Sequence, residues 1–321
     1  MLDVYPPIEP HETGMLDVGD GNRIYWEAVG NPDGKPLVYL HGGPGSGCSV
    51  GQRRWFDPEK FRAVLFDQRN CGRSTPSAAD PATDLSTNTT QHLIADIEAL
   101  REHLGIERWL VSGASWGATL AQAYAQAHPS RVTGMVLIAV TSTRLKELEW
   151  LYRGVGDFFP DRWPDFHAPV AAEVAADAPI TEIIQAYSRL LADPDESVRE
   201  AAARAWLRWE DTAVSLEPSG VKDAYSTRLD LQAVCFVRVC AHYFGNAGFL
   251  EDGVLVREAA RLADIPAVLI HGRHDLSGPA ITAWELAQKW TSARLEIIED
   301  SGHTGSPASR HALLSALAEF A

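Results

Sequence analysis

Cysteine is scarce in this chain of 321 residues, which contains only four. None of the four forms a C-x-x-C pair, and none has the spacing to histidine that metal ligands show. In so large a chain, reduced thiols in a cytoplasmic compartment are favoured over a disulfide framework. The four residues are Cys48, Cys71, Cys235 and Cys240.

Positive charge and long apolar runs are also scarce. There are 28 Lys and Arg against 43 Asp and Glu, which leaves a formal net charge of -15 at pH 7. Nucleic acid and anionic membrane surfaces would repel such a chain, so neither is predicted as a partner. No apolar run approaches the roughly 18 residues of a spanning helix, and the N-terminal segment lacks the features of a signal peptide. We therefore expect a cytoplasmic protein, and nothing in the sequence specifies its oligomeric state.

Short apolar runs alternate with helical patterns in the first and last parts of the chain. This alternation predicts an α/β fold with a mostly parallel sheet covered by helices on both faces. Between these parts, tryptophans occur among helical patterns that prolines interrupt. We predict a core domain formed by residues 1–141 and 260–321, with residues 142–259 inserted as a helical cap. Such an insertion would lie over the ligand-binding edge of the sheet.

One motif indicates the chemistry. Gly113-Ala114-Ser115-Trp116-Gly117 matches G-x-S-x-G, with an apolar run before it and an alanine-rich, helix-compatible run after it. This strand–turn–helix context is that of a nucleophile elbow, and the flanking glycines leave room for the sharp turn. Ser115 is therefore the predicted nucleophile, which disfavours hydrolases that use aspartate in this position.

A serine nucleophile needs a base, and the base needs a third group to orient it. In α/β hydrolases the chain order is nucleophile, acid, histidine. Asp275 follows the first apolar run after the cap and is the predicted acid, while His303 follows the last such run and is the predicted base. Asp300 is a second candidate for the acid, although capping of its own loop is favoured. His311 is interpreted as a surface residue.

Two backbone N–H groups should stabilise the oxyanion of the tetrahedral intermediate. One is that of Trp116, directly after the nucleophile. The other is expected in the loop His41-Gly42-Gly43-Pro44-Gly45, where Gly43, with Gly42 beside it, allows close approach of the backbone. A metallopeptidase is poorly supported because no H-E-x-x-H occurs. A non-catalytic binding module remains the least favoured class, since it would be expected to have lost a member of the triad.

Several motifs, taken together, resemble those of proline iminopeptidases, also called prolyl aminopeptidases, over nearly the whole chain. The resemblance implies an α/β hydrolase fold with a helical cap and no metal or organic cofactor. It also implies release of an N-terminal proline from short peptides or amides with a free N-terminus, through an acyl-enzyme. The motifs are His41-Gly42-Gly43-Pro44-Gly45, Asp67-Gln68-Arg69-x-Cys71-Gly72-Arg73-Ser74, Gly113-x-Ser115-Trp116-Gly117, Ala205-Trp206-x-x-Trp209-Glu210 and His271-Gly272-Arg273-x-Asp275.

The resemblance assigns binding of the substrate ammonium group to Glu210. A second glutamate, common in a Glu-Asn-His-Tyr-Phe run of the family, is replaced here by Cys240. The arginine and phenylalanine of an Arg-Gly-Ile-Phe stretch are replaced by Ile138 and Thr141. We therefore predict a substrate site with Glu210, Cys240 and Thr141. It would serve an iminopeptidase with weaker amine binding, an aminopeptidase for other small or apolar residues, or a specialised amide or ester hydrolase.

Overall fold

The core of the protein is one eight-stranded sheet, seen in a computed structural model that describes residues 4–214, 225–226 and 230–321. The strand order is β1-β2-β4-β3-β5-β6-β7-β8, with antiparallel pairing for β1–β2 and β2–β4 and parallel pairing elsewhere. This confirms the predicted α/β class. The strands are β1 (Glu12–Asp17), β2 (Arg23–Gly30), β3 (Lys35–Leu40), β4 (Phe61–Phe66), β5 (Trp109–Ala114), β6 (Val132–Ile138), β7 (Ala267–Gly272) and β8 (Ala293–Ile298).

Helices cover the sheet, and six of those formed by the described residues lie between β6 and β7 in the chain. The helices are α1 (Thr90–His103), α2 (Trp116–Ala127), α3 (Leu145–Tyr152), α4 (Trp163–His167), α5 (Ile180–Leu190), α6 (Glu196–Ala213), α7 (Leu231–Phe244), α8 (Val254–Arg257), α9 (Ile281–Lys289) and α10 (Pro307–Glu319). The segment α3–α8 corresponds to the predicted cap. The division of the chain into domains at residues 142 and 259 stays a prediction.

The inner strands read as continuous apolar runs because both of their faces are covered. Every residue of β7 is buried, and β5 is buried up to its last residue. Successive side chains of β3 enter different core clusters: Val38 and Leu40 belong to one, and Leu37 and Tyr39 to the other. This is the period of two that a strand imposes on its side chains. The two clusters therefore lie on opposite faces of the sheet.

Aromatic rings form the core of the segment between β6 and β7. The ring of Tyr152 lies 4.9 Å from that of Trp206 and 5.7 Å from that of Phe166, measured between centroids. Tyr187 contacts the rings of both Phe166 and Trp206, at 5.1 and 5.2 Å. Buried aromatic pairs at such separations contribute about 0.5–1.5 kcal/mol each beyond the area that they bury. The cluster fixes α6 relative to α3, and with it the position of Glu210 at the end of the Trp206–Trp209 turn.

Among the described residues, no single helix has both the length and the apolar composition of a membrane span. The consecutive segments Leu231–Phe244 and Ala247–Arg257 meet that test only as a pair, by length and composition, and they are bent by 73° relative to each other.

Candidate active site

Ser115 occupies the sharp turn that joins β5 to α2. Its φ of 56° and ψ of −122° lie outside the regions that side-chain-bearing residues normally adopt. A Cβ at Gly113 would lie 2.4 Å from the carbonyl oxygen of Gly117, and one at Gly117 would lie 2.0 Å from that of Leu40. Both positions therefore require glycine. The G-x-S-x-G pattern is thus a steric requirement of the turn.

The three predicted triad residues come together at the carboxyl edge of the sheet. Nε2 of His303 lies 3.0 Å from Oγ of Ser115, and its Nδ1 lies 2.8 Å from Oδ2 of Asp275. Asp275 is buried, and its Oδ1 accepts a hydrogen bond from the N–H of Gly278 at 2.9 Å. With Nδ1 of His303 donating to this carboxylate, Nε2 is left to accept the proton of the serine hydroxyl.

The pKa shifts of His303 and Asp275 agree with this arrangement of hydrogen bonds. Burial alone would lower the pKa of His303, but the carboxylate of Asp275 outweighs burial and raises that pKa above its ordinary value. Burial would raise the pKa of Asp275, but the neighbouring His303 lowers it below its ordinary value. Asp275 is therefore the anion that stabilises a protonated His303.

His271 orients the loop that carries the acid. Its Nδ1 accepts a hydrogen bond from the N–H of Val140 at 3.0 Å, so its Nε2–H is the donor to the carbonyl oxygen of Gly278 at 2.6 Å. Burial lowers the pKa of His271, which favours the neutral ring. Gly278 in turn donates to Asp275, so the buried histidine acts on the triad through one residue.

The predicted oxyanion donors lie beside the nucleophile. Trp116 is the first residue of α2, and its N–H is therefore one of the helix donors that have no partner within the helix. A Cβ at Gly42 would lie 3.3 Å from that of Ser115, so the glycine loop runs directly past the serine. Gly43 has a φ of +116°, and a Cβ there would lie 2.5 Å from the nitrogen of Gly45. The backbone can follow this path only with glycine at position 43.

A cavity of about 630 Å³ opens above these groups, and its size is within the range of small-molecule sites. The side facing α3 and α7 is mainly apolar and aromatic. Residues of this side include Leu148, Leu151, Tyr152, Tyr225, Phe236 and Phe244. Ser115, Trp116, His303, Gly42, Gly43, Thr141, Ile138 and Glu210 line the same cavity.

Glu210 presents its carboxylate to this cavity from α6. Its Oε1 accepts hydrogen bonds from the hydroxyl of Tyr152 at 2.8 Å and from Nε1 of Trp206 at 2.9 Å. No hydrogen bond from the described residues reaches Oε2. Withdrawal from bulk water raises the pKa of Glu210, although the two hydrogen bonds act in the opposite direction. The carboxylate is thus held in one orientation with an oxygen left for a cationic group.

The other two residues predicted for substrate binding have different positions. Thr141 lines the cavity, and its hydroxyl donates to the carbonyl oxygen of Ser115 at 3.0 Å, which braces the elbow. Cys240 does not line the cavity: it is fully buried, and its thiol donates to the carbonyl oxygen of Pro44 at 3.1 Å. This corrects the expected substrate contact, because α7 turns Cys240 toward the back of the glycine loop. Burial also raises the pKa of the thiol well above its ordinary value, which disfavours a reactive thiolate.

Asp300, His41 and His311 lie outside the predicted triad, in structural or surface positions. Asp300 accepts a hydrogen bond from the hydroxyl of Ser306 at 3.2 Å in an exposed loop, which is the capping role expected for it. His41 is buried, and its Nε2 accepts the N–H of Gln68 at 3.0 Å. His311 is exposed on α10. Among the described residues, no group of three or more His, Cys, Asp or Glu is arranged to hold a metal ion.

Sequence reasoning missed Tyr152, which orients Glu210. The two residues are 58 positions apart, so no local pattern connects them. It also missed the aromatic wall of Phe236 and Phe244, because apolar residues on a helix are more often core than binding site. Only the packing of α3, α6 and α7 around the cavity identifies these residues.

Comparison with known proteins identifies the family. The alpha/beta hydrolase fold family matches residues 35–306. A probable proline iminopeptidase of Streptomyces coelicolor is 46% identical, with all of this chain and 98% of that protein aligned. A proline iminopeptidase of Xylella fastidiosa is 45% identical over the whole of both chains. The chain belongs to the proline iminopeptidase family of α/β hydrolases.

As a member of the proline iminopeptidase family, the protein is an enzyme that performs hydrolysis. Solved structures agree on the fold: the crystal structure of VinJ superimposes with a TM-score of 0.69, covering 97% of this chain and 98% of that chain. Its sequence is only 20% identical, so the likeness concerns the fold alone. The resemblance inferred from the motifs is therefore confirmed at the level of the family.

Proposed function

We propose that this family member is a serine aminopeptidase that releases an N-terminal proline, or another small apolar residue, from short peptides and amides. One observation carries the proposal. The hydrogen-bonded chain Ser115–His303–Asp275 opens into a cavity whose opposite wall holds the oriented carboxylate of Glu210. A nucleophile and an anchor for a cation thus face the same substrate-sized space. The free state of all four cysteines supports the cytoplasm as its compartment.

Acylation begins when Oγ of Ser115 attacks the carbonyl carbon of the first residue, while Nε2 of His303 takes the hydroxyl proton. The N–H groups of Trp116 and Gly43 donate to the resulting oxyanion, with Gly42 keeping the loop close to the serine. The carbon–nitrogen bond then breaks, and His303 passes its proton to the leaving amine. The products of this half-reaction are the acyl-enzyme and the shortened peptide.

Deacylation repeats the same steps with water. His303 takes a proton from water, whose oxygen attacks the ester carbon, and then returns the proton to Ser115 as the amino acid leaves. Asp275 stabilises the protonated ring in both half-reactions because its low pKa keeps it ionised. The chemistry requires neither a metal nor an organic cofactor.

Glu210 would select substrates with a free N-terminus. A charge-assisted hydrogen bond from the substrate ammonium to Oε2 fixes the scissile carbonyl relative to Ser115. An acylated N-terminus carries no positive charge and would leave the carboxylate without its partner. The anchor therefore favours removal of single N-terminal residues.

A specialised amide or ester hydrolase on the same scaffold is the second candidate. It is favoured by two uncharged residues, Ile138 and Cys240, which stand where the family commonly has an arginine and a glutamate. Ile138 lines the cavity without any charge, and Cys240 lies outside it. Fewer charged groups around Glu210 would allow acyl groups other than proline.

A substrate panel tests the proposal on the wild-type enzyme, Ser115→Ala and Glu210→Gln. The panel consists of proline and alanine arylamides, their N-acylated forms and a neutral acyl ester. We expect free-amine arylamides to be preferred and Ser115→Ala to reduce kcat by about 10³-fold or more. Glu210→Gln should reduce kcat/KM for free-amine substrates by about 10- to 100-fold, and the ester much less.

The outcomes separate the candidates. Equal rates on free and N-acylated arylamides would favour the amide or ester hydrolase and remove the anchoring role of Glu210. Substantial turnover by Ser115→Ala would refute the assignment of the nucleophile.

A further inference from the structure

We propose that Arg54 and Arg310 bind the C-terminal carboxylate of the substrate, so that the preferred substrates are zwitterionic peptides of two or three residues. The inference rests on the proposed function, because the triad and Glu210 define where the N-terminal residue lies. It adds the recognition of the leaving peptide, which the triad and Glu210 leave undefined.

The cavity extends past Ser115 in two directions. Leu148 and Tyr152, at one end, belong to the core cluster on one face of the sheet. Tyr39 and Leu313, which line the same cavity, belong to the cluster on the opposite face. The cavity therefore crosses the carboxyl edge of the sheet. With the N-terminal residue held near Glu210, a peptide beyond the scissile bond extends toward Tyr39 and Leu313.

Arg54 lies at that second end, on a short 3₁₀ helix formed by Val50–Trp55. Its Nε donates to the carbonyl oxygen of Tyr5 at 2.6 Å, and the N–H of Tyr5 donates to the carbonyl oxygen of Arg54 at 2.9 Å. These bonds fix the backbone of Arg54 and the Nε end of its guanidinium group. Its two terminal nitrogens make no hydrogen bond or ion pair with the described residues.

Arg310 reaches the same end of the cavity from α10, the helix that follows the His303 loop. It is exposed, and its guanidinium likewise has no hydrogen-bond or ion-pair partner among the described residues. Acidic residues outnumber basic ones in this chain, 43 to 28, and yet neither arginine pairs with a carboxylate of the described residues. No carboxylate of the part of the chain that the structure describes competes with a ligand for their charge.

The carboxylates of the cavity lie at its other end. Glu147 and Glu210 are the only acidic residues among the described residues that line it. Glu147 is already neutralised, since it accepts the N–H groups of Ser142 and Thr143 and pairs with Arg144. Among the described lining residues, the cavity therefore has one anion without an ion-pair partner and, across Ser115, two such cations. This polarity is complementary to a short peptide with an ammonium group at one end and a carboxylate at the other, and guanidinium groups bind carboxylates well.

The test measures kcat/KM for the dipeptide Pro-Ala, for Pro-Ala amide and for a prolyl arylamide. The comparison of free acid and amide is then repeated with Pro-Ala-Ala and Pro-Ala-Ala amide. For the better of the two lengths, we expect the wild-type enzyme to prefer the free acid over the amide by about three- to tenfold, as charged hydrogen bonds near a surface allow. The ratio should fall toward one in Arg54→Gln/Arg310→Gln and be intermediate in each single variant. Arg261→Gln, which removes an exposed arginine outside the cavity, should keep the wild-type ratio.

Pro-Glu amide distinguishes a C-terminal carboxylate from an acidic side chain. Turnover of Pro-Glu amide as fast as that of Pro-Ala would overturn the assignment to the C-terminus. Equal rates on acids and amides at both lengths, with normal arylamide turnover, would overturn the inference alone. Absence of both arylamide and peptide turnover would overturn the proposed function and this inference together.

Discussion

The reactive groups of the site are each held by neighbours before substrate arrives. One oxygen of Asp275 binds His303 and the other binds the loop at Gly278. Glu210 has one oxygen fixed by Tyr152 and Trp206. Since little reorganisation is needed on binding, the arrangement is preorganised for the attack proposed for Ser115.

The pKa of His303 leads to a prediction about pH. The ring must be neutral to accept the proton of Ser115, so kcat/KM falls as pH decreases through this pKa. Because Asp275 raises the pKa of His303, we expect an acidic limb above the ordinary value of about 6.5. In Asp275→Asn burial, which lowers the pKa of His303, is opposed only by the more weakly acting Glu210, so the limb should move to lower pH while kcat drops by about 10³- to 10⁴-fold.

The pH profile is best measured with a neutral acyl ester, because Glu210 and the substrate amine then do not contribute to substrate binding. Asp300→Asn is the matched control, since Asp300 only caps its own loop, and its profile should equal that of the wild type. An unchanged acidic limb in Asp275→Asn would contradict the electrostatic coupling.

At the scale of elements, α7 connects the cavity to the loops on the sheet. Its Phe236 and Phe244 line the cavity, and Cys240 supports the glycine loop through Pro44. Arg238 anchors the helix from its other side, where its buried guanidinium donates to four backbone carbonyl oxygens. These carbonyls belong to Ala78, Asp80, Pro81 and Thr83.

Removal of this anchor should destabilise the fold. In Arg238→Gln the shorter side chain leaves most of the four carbonyls without a donor, at a cost of about 2–4 kcal/mol in the free energy of unfolding. Urea denaturation would measure the change. The control Arg208→Gln replaces an exposed arginine of α6 and should change the free energy of unfolding by less than about 0.5 kcal/mol. Equal stability of the two variants would contradict the anchoring role of Arg238.

At the scale of the whole molecule, the net charge of -15 acts on substrates before they bind. A substrate with a free ammonium and no carboxylate is a cation, and a negative protein attracts it over distances of about one Debye length.

Salt should therefore weaken turnover of cationic substrates. Between about 0.01 M and 0.5 M salt the Debye length falls several-fold, so we expect kcat/KM for a prolyl arylamide to decrease several-fold. The neutral acyl ester is the control and should change little. An equal salt dependence for the two substrates would show that the net charge does not guide binding.

The local sequence predicted the geometry around Ser115, because the steric constraints on the elbow are short-range. Gly113 and Gly117 are required by contacts within the elbow and with Leu40, so the motif alone predicts Ser115 as the nucleophile. The chain order then selected Asp275 and His303, since parallel strands bring their carboxyl ends to one edge of the sheet. Cys240 shows where prediction from the sequence fails. Because α7 is apolar on most sides, its sequence does not reveal which of its residues face the cavity.

By itself, the sequence determined the α/β sheet and the elbow, because burial on both faces and steric limits restrict which residue types can occur there. It also predicted the three triad residues, which the fold brings within hydrogen-bond distance of one another. Only the tertiary structure decided how the substrate site is built. Tyr152 meets Glu210 across 58 residues, and Arg54 lies at the same end of the cavity as Arg310 although they belong to distant segments. Such pairings depend on how helices pack and rotate around the cavity, and no local pattern encodes that rotation.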